Sequence, residues 1–269
     1  MTRRVVLPPG EPSAVRLRQA LLERPKARTG VVRVPPIKTK DPKAAAQFWS
    51  ERAWSEYAAV PAMAQTMLAI VRDRGSLEVL DTLAIIASDE VRHTEMSKGL
   101  ADALGGYVEE VPDSSGYNPE LLAQPYDLSS PFWALSNGCI SETTSLEMMR
   151  VRLPYTTNPV VRPILQRIMK DESMHARLSW LLAEAIFPTL EPDLKEEIAE
   201  YARELFAVMP RTFASKELPP GERRAQRKLR TSVAKAGLGA APPDEEDAAY
   251  YHTRDEIIAP RLRKLGIPI

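Results

Sequence analysis

A five-residue pattern that occurs twice constrains this chain of 269 residues more than any other feature. Residues 89–93 and 171–175 both have the sequence D-E-x-x-H, and together they contain two of the three histidines in the chain. Residues three apart are neighbours on a helix surface, so the Glu and the His of each copy project from one face. The repeat therefore predicts two helices that each bring a carboxylate and an imidazole to a common site.

Hydrophobic periodicity predicts four long helices around these motifs. Asp41 is the expected N-cap of the first helix, and Gly105 is the expected C-terminal stop of the second. Pro61 predicts a kink in the first helix. The four predicted helices run from about Lys43 to Arg74, from Ser76 to about Leu104, from Ser130 to before Pro154, and from Asn158 to about Ile186.

Each predicted helix carries a glutamate in the middle of its apolar stripe. Isolated buried carboxylates are costly, so buried charges are generally paired or bind a metal. The spacing within each helix pair is similar, 34 positions in the first (90 − 56) and 30 in the second (172 − 142). This regularity suggests a repeated helical hairpin with its glutamates at one level of a bundle. The four glutamates are Glu56, Glu90, Glu142 and Glu172.

These glutamates and the two histidines resemble the ligand set of the ferritin-like diiron-carboxylate superfamily, in its oxidase and oxygenase branch. The resemblance covers roughly residues 43–186 and implies an all-α, ferritin-like four-helix bundle with a long crossover. It also implies that Glu90 and Glu172 bridge two metals or bind one terminally, and that Glu56 and Glu142 are terminal ligands. His93 and His175 would each bind one metal.

The aspartate before each motif glutamate carries a further expectation. A metal-bound histidine usually donates its other N–H to a carboxylate or a carbonyl. In relatives with this pattern the aspartate serves the histidine of the opposite motif, so Asp89 would orient His175 and Asp171 would orient His93. The alternative is that both aspartates face solvent.

Three other residues that could act as ligands are expected to lie outside the site. The helical phase of Glu51 and Glu147 puts each of them on a different face from the nearby motif-level glutamate. His252 lacks an E-x-x-H context and is expected to be structural or exposed.

The rest of the chain is expected to form extensions of the bundle. The predicted organisation is an N-terminal extended arm (1–42), a dimetal four-helix bundle (43–187) and a C-terminal helical extension packed on the bundle (188–269). A short helix is expected at about 13–23, and residues 106–129 suit a crossover along the bundle. In the extension, helices are expected over 192–209 and over 244–264, the latter interrupted near Pro260.

Composition excludes several classes of protein. There is no apolar run of about 18 residues or more, so no transmembrane helix is expected, and the N-terminus lacks a signal-peptide core. Cys139 is the single cysteine, which rules out an internal disulfide framework. A formal net charge of zero disfavours a protein dominated by nucleic-acid binding. A cytoplasmic location follows as an expectation.

The resemblance implies an oxygen-activating diiron oxidase or oxygenase acting on a small organic substrate, with hydroxylation, N-oxygenation or desaturation chemistry. Its cofactors would be two iron ions, or alternatively manganese or a manganese–iron pair. Its partners would be O₂, the substrate, an external electron donor and a second copy in a homodimer. No catalytic residue beyond the ligands and no substrate-binding residue is predicted.

Two alternatives stay open. The first is a ferroxidase or other iron-handling protein, because storage cages share nearly the same ligand set. The second is a hydroxylase whose substrate is bound to RNA or to a carrier protein, recognised by the basic stretch 223–230. A radical-generating reductase subunit is disfavoured because Ser97 occupies the position of the radical tyrosine, and a rubrerythrin is disfavoured because cysteine pairs are lacking.

Overall fold

The computed structural model describes residues 34–108 and 129–269, and within these ranges the chain is helical without a β-strand. The short helix expected at about 13–23 and most of the crossover 106–129 lie outside the described residues. The bundle consists of α1 (Pro42–Arg72), α2 (Leu77–Leu104), α3 (Ser130–Trp133), the π-helix π1 (Ala134–Glu142), α4 (Thr143–Arg152) and α5 (Val161–Ile186).

The termini of the bundle helices agree with the expected signals. The Asp41 carboxylate accepts a hydrogen bond from the Ala44 N–H at 3.2 Å, as an N-cap should. The second helix ends at Gly105. The first helix continues through Pro61 and ends at Arg72. Local chemistry therefore set these boundaries to within about three residues.

The first two helices form an antiparallel hairpin. The Ile37 N–H donates to the Ala103 carbonyl at 2.8 Å, so the end of α2 lies beside the start of α1. The second pair is formed by α5 with π1 and α4, and α2 meets α5 across the bundle. Four helical segments thus surround one interior, which confirms the predicted all-α bundle.

The third bundle helix departs from the expected regular α-helix. It is continuous from residue 130 to residue 152, but its centre winds as π1. Its close approach to α5 requires a glycine, because a Cβ on Gly138 would lie 2.9 Å from Ser179 Cβ. Segments of π-helix are rare and frequently lie at functional sites.

Two apolar clusters fill the bundle on either side of one polar level. One cluster contains Phe48 on α1, Leu100 on α2 and Leu165 on α5. The other contains Ile70 on α1 and Leu83 on α2, with further residues of α5 beyond position 175. The predicted ligands fall between these clusters on every helix, so the packing places them at a common height.

The C-terminal residues form further helices that pack on the bundle. The chain is anchored there by the Trp49 indole N–H, which donates to the Leu238 carbonyl at 2.8 Å. Within the described part of the chain no helix is both long and apolar enough to span a membrane. The extension comprises α6 (Pro192–Val208), α7 (Pro210–Phe213), α8 (Pro220–Lys235), α9 (Pro243–His252), the π-helix π2 (Thr253–Ile258) and α10 (Ala259–Lys264).

The expected helices of the extension are present, with two differences. The interruption of the last predicted helix is π2, which precedes Pro260 by one residue and does not end the helical run. The basic stretch 223–230, for which no secondary structure was predicted, lies within α8.

Candidate metal centre

The structure brings all six predicted ligands into two overlapping groups, in each of which the ligand atoms lie within 4.8 Å of one another. Glu90 and Glu172 belong to both groups, whereas each of the other four residues belongs to one. Two carboxylates shared between two ligand sets are what a pair of neighbouring ions requires. The groups are Glu56, Glu90, His93 and Glu172, and Glu90, Glu142, Glu172 and His175.

The site is sealed from solvent in the bundle interior. Both His93 and His175 are 0% exposed, and their ring centroids lie 5.7 Å apart. The four glutamates are buried as well. Because a carboxylate transferred from water to a protein interior must be compensated, this concentration of acid groups indicates a cation site.

Each imidazole turns its Nδ1 atom toward the glutamates. His93 Nδ1 lies 3.4 Å from Glu90 Oε2 and 3.6 Å from Glu172 Oε1. His175 Nδ1 lies 3.0 Å from Glu90 Oε1 and 3.5 Å from Glu142 Oε2. The Nδ1 atoms are therefore the ring nitrogens available to a metal between the carboxylates.

The other ring nitrogen of each histidine meets an aspartate of the opposite motif. His175 Nε2 lies 3.1 Å from Asp89 Oδ2, and His93 Nε2 lies 3.5 Å from Asp171 Oδ2. Asp89 is buried and also pairs with Arg92. These crossed pairs provide the geometry that holds an imidazole with its Nδ1 directed at a metal.

The electrostatics of the metal-free cluster differ from one glutamate to the next. Burial, partly offset by Arg52, raises the pKa of Glu56 to about 7. Burial and the other three glutamates raise the pKa of Glu172. Burial acts in the same sense on Glu90, but the imidazoles of His175 and His93 overcome it and hold its pKa below the ordinary range.

Several atoms that face the centre lack a hydrogen bond of acceptable geometry despite being fully buried. They include Glu172 Oε2 and the Nδ1 atoms of His93 and His175. Buried polar atoms are nearly always satisfied, so orphaned ones indicate an absent partner. Carboxylate oxygens with two imidazole nitrogens are a donor set suited to iron or manganese. The residues therefore fit a pair of divalent ions.

Sequence reasoning missed one residue of this centre, Arg52. Its Nη2 atom pairs with Glu56 one helical turn away, and it lies 3.5 Å from Glu172 Oε1. The same nitrogen donates to Ser145 Oγ at 3.2 Å. The available signal was an arginine four residues before a buried glutamate on one helix face.

The residues expected outside the centre do lie elsewhere. Glu51 accepts a hydrogen bond from Gln47 at 3.1 Å, and Glu147 pairs with Arg150. His252 is exposed. None of the three belongs to either ligand group.

The basic stretch 223–230 is partly committed to internal contacts. Arg223 donates to the Leu218 carbonyl, Arg227 pairs with Asp244, and Arg230 pairs with Glu246. Three of its positively charged side chains therefore make contacts within the extension. These contacts argue against the stretch as a surface that binds a nucleic acid or a carrier protein.

A cavity of about 210 Å³ lies against the candidate centre. The four ligand glutamates form part of its wall, and small residues of α1 such as Ala59 and Ala62 form another. The C-terminal extension forms part of its wall as well. The residues of the extension that line it are Tyr201, Leu205, Met209, Thr212 and Phe213.

Comparisons with known proteins bear on the fold. No protein-family model matches the chain, and no curated protein matches it either. A solved structure, Protein 19 with aldehyde deformylating oxidase activity from Synechococcus, is similar at a TM-score of 0.59 and 18% sequence identity. The match covers 84% of this chain and 96% of that one. Together with the helix order and the buried carboxylate–histidine cluster, it shows that the chain has the all-α, ferritin-like four-helix bundle fold.

Proposed function

We propose that this protein is an oxygen-activating dimetal oxidase or oxygenase that acts on a small organic substrate beside the buried carboxylate–histidine centre. The observation that carries the proposal is the pair of glutamates, Glu90 and Glu172, that both ligand groups share next to a cavity. The proposed metal ligands are Glu56, Glu90, His93, Glu142, Glu172 and His175.

The group to which each proposed ligand belongs indicates which ion it would help to hold. Glu90 and Glu172, which belong to both groups, would help to hold both ions, while Glu56 with His93 and Glu142 with His175 would each help to hold one. Asp89 and Asp171 would each hold the proton on Nε2 of the facing histidine, which leaves Nδ1 free as the ligand. When bound, two iron ions would supply the capacity to react with O₂, using electrons from an external donor.

The residues that line the cavity indicate which class of substrate it would hold. Apart from the four glutamates, its lining residues in the described ranges carry no charged side chain. Trp133, Met63 and Phe213 supply apolar surface, and Ser55 and Ser141 supply hydroxyl groups. Away from the centre itself, a charged substrate would lose hydration without gaining an ionic partner. We therefore expect a small substrate that is uncharged over the part that contacts this lining.

Several types of oxidation are compatible with these contacts. Hydroxylation, N-oxygenation and desaturation all suit an uncharged molecule held beside a dimetal centre. The aldehyde deformylating oxidase activity of the similar solved structure adds the removal of the formyl group of an aldehyde to this set. The buried centre would exclude water from each of these reactions.

Iron loading and oxygen uptake test this function together. The purified protein should bind about two irons per chain, elute as a monomer or the predicted homodimer, and consume O₂ stoichiometrically after anaerobic reduction. Glu90→Ala should lose most of the metal, as measured by atomic absorption, and with it the oxygen uptake, because Glu90 belongs to both ligand groups.

The competing iron-handling function predicts a different result. A storage protein would assemble as a large cage and accumulate many irons per chain as mineral. A cage-sized particle with that loading would refute the oxygenase proposal. Full metal retention in Glu90→Ala would refute the ligand assignment itself.

A further inference from the structure

Arg52 introduces a positive charge into a centre built to receive cations. Its side chain is 11% exposed, and it pairs with Glu56 while lying 3.5 Å from Glu172 Oε1. Glu56 belongs to one ligand group, and Glu172 belongs to both. A guanidinium group stays protonated in proteins. The charge is therefore present whether or not metal is bound.

The other arginines near the centre do not contact its glutamates. Arg92 pairs with Asp89, and Arg167 pairs with Asp171. Within the described residues, the ion pairs between the four glutamates and an arginine or lysine involve Arg52 alone. Among the arginines and lysines of the described residues, Arg52 is thus the side chain whose charge acts directly on these buried carboxylates.

The guanidinium is also held in place from the opposite hairpin. Its Nη2 atom donates to Ser145 Oγ at 3.2 Å and lies 3.9 Å from Met149 Sδ. Both partners are on α4. Since neither of these two partners is a proposed ligand, the contacts would keep the charge beside the centre when ions bind.

We propose that Arg52 is an internal counter-charge that takes the place of metal in the metal-free protein, at the cost of weaker metal binding. It attracts the buried glutamates and so stabilises the empty bundle, but it repels a divalent ion bound to the same carboxylates. The inference rests on the dimetal site of the proposed function, and it is independent of the oxygen chemistry.

The test compares stability with and without metal. Arg52→Met removes the charge at similar side-chain length, and Arg52→Lys keeps it. Arg150→Met is the matched control, because Arg150 is exposed and pairs with Glu147, which belongs to neither ligand group. Thermal unfolding is recorded in chelator and in saturating Mn²⁺, and Mn²⁺ affinity is measured by calorimetric titration. Manganese avoids any dependence on oxygen chemistry.

Arg52→Met should lower the Tm of the metal-free protein by roughly 5 °C or more. It should lower the Tm of the Mn²⁺-loaded protein less, and it should bind Mn²⁺ about tenfold more tightly. Arg52→Lys should keep most of the metal-free stability, and Arg150→Met should behave like the unchanged protein in both states. Arg52→Met could fold only when it is produced with Mn²⁺. Its unfolding on addition of chelator would then support the inference in the same way as a lowered Tm of the metal-free protein.

Two results would overturn the inference. Equal loss of Tm in both metal states would mean that Arg52 acts through packing. Weaker Mn²⁺ binding in Arg52→Met would mean that Arg52 positions the ligands. Failure of the unchanged protein to bind Mn²⁺ or Fe²⁺ would instead refute the dimetal site and the proposed function together.

Discussion

At the scale of single residues, chemically identical side chains have different properties because their neighbours differ. Glu56, with burial as the largest influence, has a pKa raised to about 7. Glu90 lies between two imidazoles, and its pKa is lowered instead. The two aspartates also differ, since Asp89 lies 3.1 Å from its histidine, while Asp171 lies 3.5 Å from its own; both are buried.

This difference predicts unequal effects of substitution. Asp89→Asn and Asp171→Asn should both keep the fold, as judged by circular dichroism, and should weaken metal binding by roughly ten- to a hundredfold. The larger effect should come from Asp89→Asn, because its contact with the histidine is shorter. Competition titration with a metal indicator measures both affinities. Unchanged affinity in both variants would show that the aspartates do not orient the ligands.

At the scale of elements, π1 is the segment whose observed winding differs from the regular α-helix that the sequence predicts. Its glycine allows close approach to α5. The neighbouring Asn137 amide donates to Ala62 O at 3.3 Å and to Thr66 Oγ1 at 3.2 Å on α1. Contacts with two other helices therefore accompany the altered winding immediately before Glu142. The rotation of the third helix, and with it the direction of this proposed ligand, depends on those contacts.

The close approach at Gly138 can be tested directly. In an ordinary helix a Gly→Ala change stabilises, by about 1 kcal/mol. Gly138→Ala should instead destabilise by roughly 1–3 kcal/mol in denaturant unfolding, because the added methyl group overlaps Ser179. Gly221→Ala is the control, since a Cβ there meets nothing within 4 Å. Equal stability of the two variants would mean that π1 relaxes without cost.

At the scale of the whole molecule, a buried charge network connects the extension to the bundle. Glu246 accepts a hydrogen bond from Arg152 Nε at 2.9 Å and pairs with Arg230 Nη1 at 3.1 Å. Arg230 also donates to the Phe213 carbonyl at 3.2 Å. Since Phe213 lines the cavity, this network both ties down the extension and positions one wall of the proposed substrate site.

Glu246→Gln should destabilise the protein in a pH-dependent way. Burial alone would raise the pKa of Glu246, but Arg152 and Arg230 lower it below its ordinary value of 4.5. The stabilisation from this ionised group is therefore present above pH 4.5 and is lost as the pH falls through the lowered pKa. Breaking such a buried pair costs about 3–5 kcal/mol.

The measurement is thermal unfolding of both proteins across pH. The Tm difference should be largest near neutral pH and should shrink on acidification below pH 4.5. Glu245→Gln, at the exposed neighbouring position, should show little effect. A Tm difference that does not vary with pH would contradict the assigned role of the Glu246 charge.

The sequence by itself determined the elements and the candidate ligands, because both depend on local periodicity. Asp41 and Gly105 marked helix ends that the structure confirms. A glutamate in the middle of an apolar stripe, such as Glu56, was recognisable because burying a charge is costly wherever the helix packs. The bundle then brought together residues chosen from helix phase and motif alone.

Tertiary structure alone decided what depends on contacts between distant parts of the chain. The winding of π1 accompanies contacts with α1 and α5, and the place of Arg52 depends on Glu172, 120 residues away. The cavity wall formed by Tyr201, Leu205 and Phe213 exists only because the extension folds back over the bundle. No local pattern specifies such pairings, since periodicity states which face of a helix is buried and not which partner covers it.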